Sequence, residues 1–282
     1  MSHDTLIDLE TLNAHLDDPA WVIVDCRFSL SDPAAGRRAY AESHIPGARY
    51  AHLDEDLSGP ITPATGRHPL PDPARLAQKL GEWGIGNDTQ VVAYDDMGGI
   101  LAAARLWWLL RWLGHSACAV LDGGISAWRR AGLPLAVQQP TVRPRRFEAR
   151  PDARLWLTTA QVEALNGEEI LLDARAAARY RGELEPIDPV AGHIPGALNL
   201  PTEDNLTADG RFLPAEEQRE RFLALLGNRP AAAVVHSCGS GVTACHNLLA
   251  MEAAGLRGSR LYAGSWSEWI RDPGRPIVTG AR

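Results

Sequence analysis

The chain has 282 residues, 45% of them hydrophobic and 22% charged, with a formal net charge of −7. That length supports two domains with separate cores, and the composition is that of an ordinary globular protein. The acidic balance and the lack of a basic face exclude nucleic acid as a partner, and the longest apolar stretch, 100–113, is broken by Arg105 and Arg111 and is too short to span a bilayer.

In chain order, the acidic N-terminus lacks a cationic segment followed by an apolar run, so no signal peptide is expected. Trp21–Asp25 is a short aliphatic run of the kind found in strands buried on both faces. Helices are predicted over 74–83 and 101–113, the latter ended by Gly114, with strands at Gln90–Tyr94 and 119–121. Residues 138–151 hold three prolines and four arginines without any period, which places a linker at 139–153 between domains 1–138 and 154–282. The second half then offers a strand at Ile170–Asp173, a helix at Ala215–Leu226 closed by Gly227, and a strand at 232–236. Strands alternating with helices imply right-handed crossovers and parallel sheets, hence an α/β fold with a ligand site at the carboxyl ends of the strands.

The halves repeat each other. His44-Ile-Pro-Gly-Ala48 returns as His193-Ile-Pro-Gly-Ala197, 149 residues on, and the preceding aspartates, Asp25 and Asp173, are 148 apart. Gly114 and Trp128 match Gly255 and Trp269 at an offset of 141. Several markers in one order at nearly constant spacing mean a tandem duplication.

Four cysteines, Cys26, Cys118, Cys238 and Cys245, form no CxxC pair and suggest free thiols in a reducing cytoplasm, with neither disulfides nor a metal site. Cys238 stands out. It lies where a strand gives way to Gly239-Ser240-Gly241 and then to a helix predicted to begin near Val242. Glycines there let backbone N–H groups turn inward, and a helix start adds its positive end, so the loop would favour a nucleophilic thiolate. Ser240 and Thr243 could add hydroxyls. No lysine makes this a phosphate-binding P-loop, and Ala244 stands where a cysteine phosphatase needs arginine. Ser116 lies in a helix-to-strand turn and makes a poor nucleophile elbow. The residues alone leave open an inert, buried Cys238, the usual fate of a free cysteine.

The duplicated Asp-x-Arg…His-Ile-Pro-Gly-Ala pattern, with a strand, cysteine loop and helix in its second copy, resembles the tandem rhodanese-domain sulfurtransferases over nearly the whole chain. The resemblance implies two rhodanese-like domains, each a central parallel sheet flanked by helices. The first would be non-catalytic, since Tyr94-Asp-Asp-Met-Gly-Gly-Ile100 replaces the cysteine loop. The loop Cys238-Gly-Ser-Gly-Val-Thr243 looks like that of 3-mercaptopyruvate sulfurtransferases, whereas thiosulfate-using relatives carry basic residues directly after the cysteine.

By that resemblance Cys238 would carry sulfur as a persulfide, taken from mercaptopyruvate or thiosulfate and passed to cyanide, a small thiol or a thioredoxin-like protein, with no cofactor. Ser240, His68 and Asp54 would match a serine–histidine–aspartate relay, with Gly239, Gly241, Val242 and Thr243 lining the loop. Arg179 would bind the donor's carboxylate. Relatives that use mercaptopyruvate have a second arginine in the following segment, where 183–192 here has none and Ile187 is the nearest match. Arg181 is the candidate to replace it. The competing function is a persulfide carrier that serves only a protein partner.

Other conspicuous residues have structural readings. The duplicated His44 and His193 and the strand-ending Asp25 and Asp173 suit roles common to both halves. Trp107, Trp108 and Trp112 fall at helical spacing and read as core, and Cys26 and Cys245 as packed thiols.

Overall fold

A computed structural model describes residues 2–281. The chain forms two units. The first contains residues up to Gly59, Pro71–Asp152 and Thr207–Phe212; the second contains Pro60–Leu70, Ala153–Leu206 and the residues from Leu213 on. Each repeat thus gives the other unit a short segment, taken shortly after its His-Ile-Pro-Gly-Ala motif.

The first unit is built on β1 (Leu6–Ile7), β2 (Trp21–Asp25), β3 (Arg49–Tyr50), β4 (Gln90–Tyr94) and β5 (Cys118–Leu121). They form one parallel sheet in the order β1-β5-β4-β2-β3. Helices α1 (Leu9–Ala14), α2 (Ala35–Glu42), α3 (Pro73–Glu82), α4 (Ala102–Trp112) and α5 (Gly124–Arg130) make the crossovers. The central strand β4 is buried throughout, as its unbroken apolar run requires when both faces are covered. Asp72 caps α3 by accepting from the Ala74 and Arg75 N–H groups, and Pro73 fills the first turn, where a missing N–H costs nothing. Trp107, Trp108 and Trp112 of α4 are buried in the core. Both predicted helices of this unit are found, each bounded within a residue of the expectation.

The second unit repeats the plan. Strands β6 (Trp156–Leu157), β7 (Ile170–Asp173), β8 (Leu198–Asn199), β9 (Val234–Ser237) and β10 (Arg260–Tyr262) form a parallel sheet in the equivalent order β6-β10-β9-β7-β8. Its helices are α6 (Thr159–Glu163), α7 (Ala177–Tyr180), α8 (Ala215–Leu226), α9 (Ala244–Ala253) and α10 (Ser265–Trp269). The strand predicted over 232–236 starts later, because Ala231–Ala233 forms a 3-10 turn closed by Ala233 N–H to Pro230 O at 2.9 Å. The helix predicted from Val242 begins at Ala244.

The shared markers do the same work in each unit. Asp25 forks Arg27 and Asp173 forks Arg175, each pair at 2.6 Å and almost fully buried. His44 stacks on Tyr40 at 4.0 Å and His193 on Tyr180 at 3.7 Å, each with Nδ1 on that tyrosine's carbonyl. No helix among the described residues is long and apolar enough to cross a membrane.

Candidate active site

Strand β9 ends at Ser237, paired in register with Asp173 of β7, and Cys238 follows at the carboxyl edge of the sheet. The chain turns there because Gly241 adopts φ +76°, which an L side chain avoids, and a Cβ on it would meet the Ala263 carbonyl oxygen at 2.2 Å. The turn aims the Gly241 N–H at Cys238 Sγ, 3.1 Å away. Ser265 supports the cysteine from beneath. Its Oγ accepts from the Cys238 N–H at 3.0 Å, donates to Tyr262 O at 2.9 Å and lies 4.0 Å from the sulfur. Ser265 is the one non-glycine residue with positive φ, +52°, among the described residues. Such strain costs on the order of 1–3 kcal/mol and persists where the surroundings impose it. Cys238 is 1% exposed, but it faces amide and hydroxyl groups rather than hydrocarbon alone.

Above the loop lies a lattice of charge. A Cβ on Gly239 would sit 3.1 Å from Arg67 Nη2 and 3.5 and 3.6 Å from Arg179 Nη2 and Nη1, so two guanidinium groups cover the residue after the cysteine. Arg179, in α7, is held bidentately by Glu185 at 2.8–3.1 Å. Asp188 bridges the two arginines, one oxygen on Arg67 and the other 3.1 Å from Arg179 Nη2. Arg175 Nη1 lies 3.5 Å from Glu185, and its guanidinium sits over the Trp266 ring at 4.8 Å. Burial pushes the Asp188 carboxyl up, and its arginines only partly pull it back. Glu185 is also raised by burial, yet its fork to Arg179 and the Asp188 and Ile187 N–H groups prevail and leave it low.

His68 reaches this site with the 60–70 segment. Its Nδ1 is 2.8 Å from Ser240 Oγ, so the predicted serine and histidine meet. The segment is pinned by Arg67 N–H to Ser267 Oγ at 3.0 Å and by Arg271 Nε to Thr65 O at 3.0 Å. Asp54 belongs to the first unit; there its N–H donates to His52 Nδ1 at 3.2 Å and its side chain is exposed. Arg181 does not join Arg179: it forks Glu183 at 2.7 and 2.8 Å on the surface, because a residue two positions on points away from the loop at this helix end. Val242 is buried, and Thr243 caps α9 through its backbone. Cys245 is packed, its thiol on Gly241 O at 3.4 Å.

The first repeat keeps the frame without the thiol. Tyr94 pairs with Asp25 as Ser237 pairs with Asp173, so Asp95 takes the place of Cys238. Asp95 O accepts from Ile125 N and Cys238 O from Trp266 N, both at 3.0 Å. The Asp95 carboxylate receives N–H groups from Met97 at 2.9 Å, Gly99 at 2.8 Å and Leu101 at 3.2 Å. In both copies the loop aims backbone N–H groups at the residue that follows the strand.

Residue reasoning missed Arg67, Glu185, Asp188 and Ser265. Ser265 carried a signal, since the 141-residue offset aligns it with Gly124, whose φ is +55°. Arg67 carried none, because no local pattern shows that the 60–70 segment packs in the second unit.

The rhodanese-like domain family matches residues 8–131 and 158–272. A Pseudomonas aeruginosa protein named a probable 3-mercaptopyruvate sulfurtransferase is 55% identical over 284 residues, covering 99% of this chain and 100% of its own. The thiosulfate sulfurtransferase of Mus musculus is 35% identical over 261 residues, covering 90% of this chain and 86% of its own. The solved 3-mercaptopyruvate sulfurtransferase of Leishmania major superposes with a TM-score of 0.84 at 33% identity, over 96% of this chain and 76% of that one. With both halves matched in order, the chain belongs to the rhodanese-like domain family, in two tandem copies.

Proposed function

We propose that the chain moves sulfane sulfur from 3-mercaptopyruvate, or from thiosulfate, to a thiol or cyanide through a persulfide on Cys238. The observation that carries this is Cys238 Sγ accepting from the Gly241 N–H at 3.1 Å, with the Arg67 and Arg179 guanidinium groups over the neighbouring Gly239. In the first half-reaction the Cys238 thiolate attacks the donor sulfur and an S–S bond forms. With mercaptopyruvate the C–S bond breaks with its electron pair going to carbon, which leaves the enolate of pyruvate to take a proton; with thiosulfate the donor's S–S bond breaks and sulfite leaves with the electron pair. Ser240, hydrogen-bonded to His68 at 2.8 Å, would donate to the developing enolate oxygen. A thiolate or cyanide then takes the outer sulfur and regenerates the Cys238 thiolate, so the kinetics are ping-pong.

Mercaptopyruvate is the favoured donor. A basic side chain at position 239, as in thiosulfate-using relatives, would begin 3.1 Å from Arg67 and 3.5 Å from Arg179, where like charges repel. Cys238 is covered, which suits a small donor and a small thiol, or a thioredoxin-like protein presenting one sulfur, better than a carrier built to offer its persulfide to a large face. All four cysteines are free, which supports a reducing, cytoplasmic setting.

Intact mass after mixing with each donor tests the reading. Wild type should gain one sulfur atom, Cys238→Ser none, and an added thiol should discharge it with multiple turnovers. Failure of wild type to gain sulfur from either donor would sink the proposal.

A further inference from the structure

The arginine expected between 183 and 192 is absent, yet two guanidinium groups still converge above the cysteine loop. One is Arg179. The other, Arg67, arrives with the segment that the first repeat contributes to the second unit. Between them lies Asp188, with one carboxylate oxygen on each arginine. The position is therefore already occupied by a carboxylate, and beside the arginines lies Gly239, which has no side chain of its own to crowd them. Arg67 Nε is buried without a hydrogen-bond partner, so its guanidinium has donor capacity in reserve. Glu185 and Asp188 balance the charge of Arg67 and Arg179 in this state. An anionic donor could share the two arginines only by loosening one of those carboxylates, and Asp188 is the one in the shared position.

We infer that Arg67 is the second guanidinium for the carboxylate of the sulfur donor, and that Asp188 occupies that carboxylate's place until the donor displaces it. The inference rests on Cys238 being the sulfur acceptor, and it deepens that reading by naming how the donor's acid group is held. The donor class is an α-keto carboxylate. A planar carboxylate set across two forks matches the Asp188 arrangement, whereas the tetrahedral thiosulfate matches it less well.

Steady-state kinetics on the full chain, with saturating thiol acceptor, tests this. Arg67→Ala should raise KM for mercaptopyruvate roughly tenfold to a hundredfold, the loss expected for a charge-assisted hydrogen bond, with kcat within a few-fold of wild type. Asp188→Asn should lower KM several-fold, because the internal competitor then carries no charge. Arg67→Lys keeps the charge while losing the fork; it should raise KM several-fold and reports even if Arg67→Ala fails to fold. An unchanged KM in Arg67→Lys and Arg67→Ala, or a rise as large for thiosulfate as for mercaptopyruvate, would overturn the assignment. Sulfur uptake by wild type, read by intact mass in the same preparation, separates that outcome from failure of the sulfurtransferase reading itself.

Discussion

The two glycines beside Cys238 should fail in different ways when changed to alanine. Gly241 has φ +76°, and a Cβ there would meet Ala263 O at 2.2 Å and Ala263 C at 2.9 Å. The left-handed conformation costs alanine about 1–2 kcal/mol, and the clash is with backbone, which yields only by moving β10's exit and adds about 1–3 kcal/mol. Gly241→Ala should therefore lose about 2–5 kcal/mol of stability and, since its N–H then leaves the sulfur, most of its sulfur uptake. Gly239 has no such φ, and its Cβ would meet only the ends of two flexible arginines. Gly239→Ala should stay within about 0.5 kcal/mol of wild type and instead raise the donor's KM several-fold by crowding the arginines. Urea midpoints with unchanged slope give the stabilities, and intact mass against donor concentration gives the loading. A Gly241→Ala protein with wild-type stability and loading, or a Gly239→Ala protein as unstable as Gly241→Ala, would refute the account of the loop.

Two further outcomes follow from buried charge. Burial pushes His236 of β9 down to about 3, and only Nε2 has a partner, Ser259 Oγ at 3.1 Å, so a protonated ring would leave a donor unmet. Its folded value lies below the ordinary 6.5, so its contribution is present above pH 6.5 and lost on acidification toward 3, by on the order of 1 kcal/mol per pH unit; His236→Gln should flatten that slope in urea titrations at several pH values. Arg175→Ala leaves Asp173 and Glu185 buried without its charge and should cost about 3–5 kcal/mol by the same unfolding assay, while a loss under 1 kcal/mol would show the pair to be dispensable.

Much of this was written in the order of the residues. The twin Asp-x-Arg and His-Ile-Pro-Gly-Ala motifs announced two copies because each is a self-contained device: the aspartate forks an arginine two residues on, and the histidine stacks on a tyrosine and bonds its carbonyl. The cysteine loop was legible because glycine requirements at a strand end are local. The cluster of Arg67, Arg179, Glu185 and Asp188 was not. Arg181 is two residues from Arg179 in sequence but turned toward Glu183, while Arg67 is more than a hundred residues away and reaches Asp188 because its segment packs in the other unit. Sequence proximity points to Arg181, but helix geometry, not spacing, decides which side a guanidinium faces.

The comparison of Asp95 with Cys238 separates what the loop does from what the arginines do. Both residues end equivalent strands, both carbonyls accept from the equivalent N–H at 3.0 Å, and both sit above a residue at positive φ, Gly124 at +55° and Ser265 at +52°. In the first repeat the carboxylate takes backbone N–H groups from Met97, Gly99 and Leu101, yet burial still pushes it up to about 6, with Asp96 adding to the rise. Backbone amides alone therefore do not offset the desolvation of a charge in this frame. The second repeat adds Arg67 and Arg179 above Gly239, while Arg175 on Asp173 has its counterpart in Arg27 on Asp25. The first loop is filled by its own side chain. The second leaves one sulfur atom on the Gly241 N–H, with Arg67 and Arg179 over the residue that follows it.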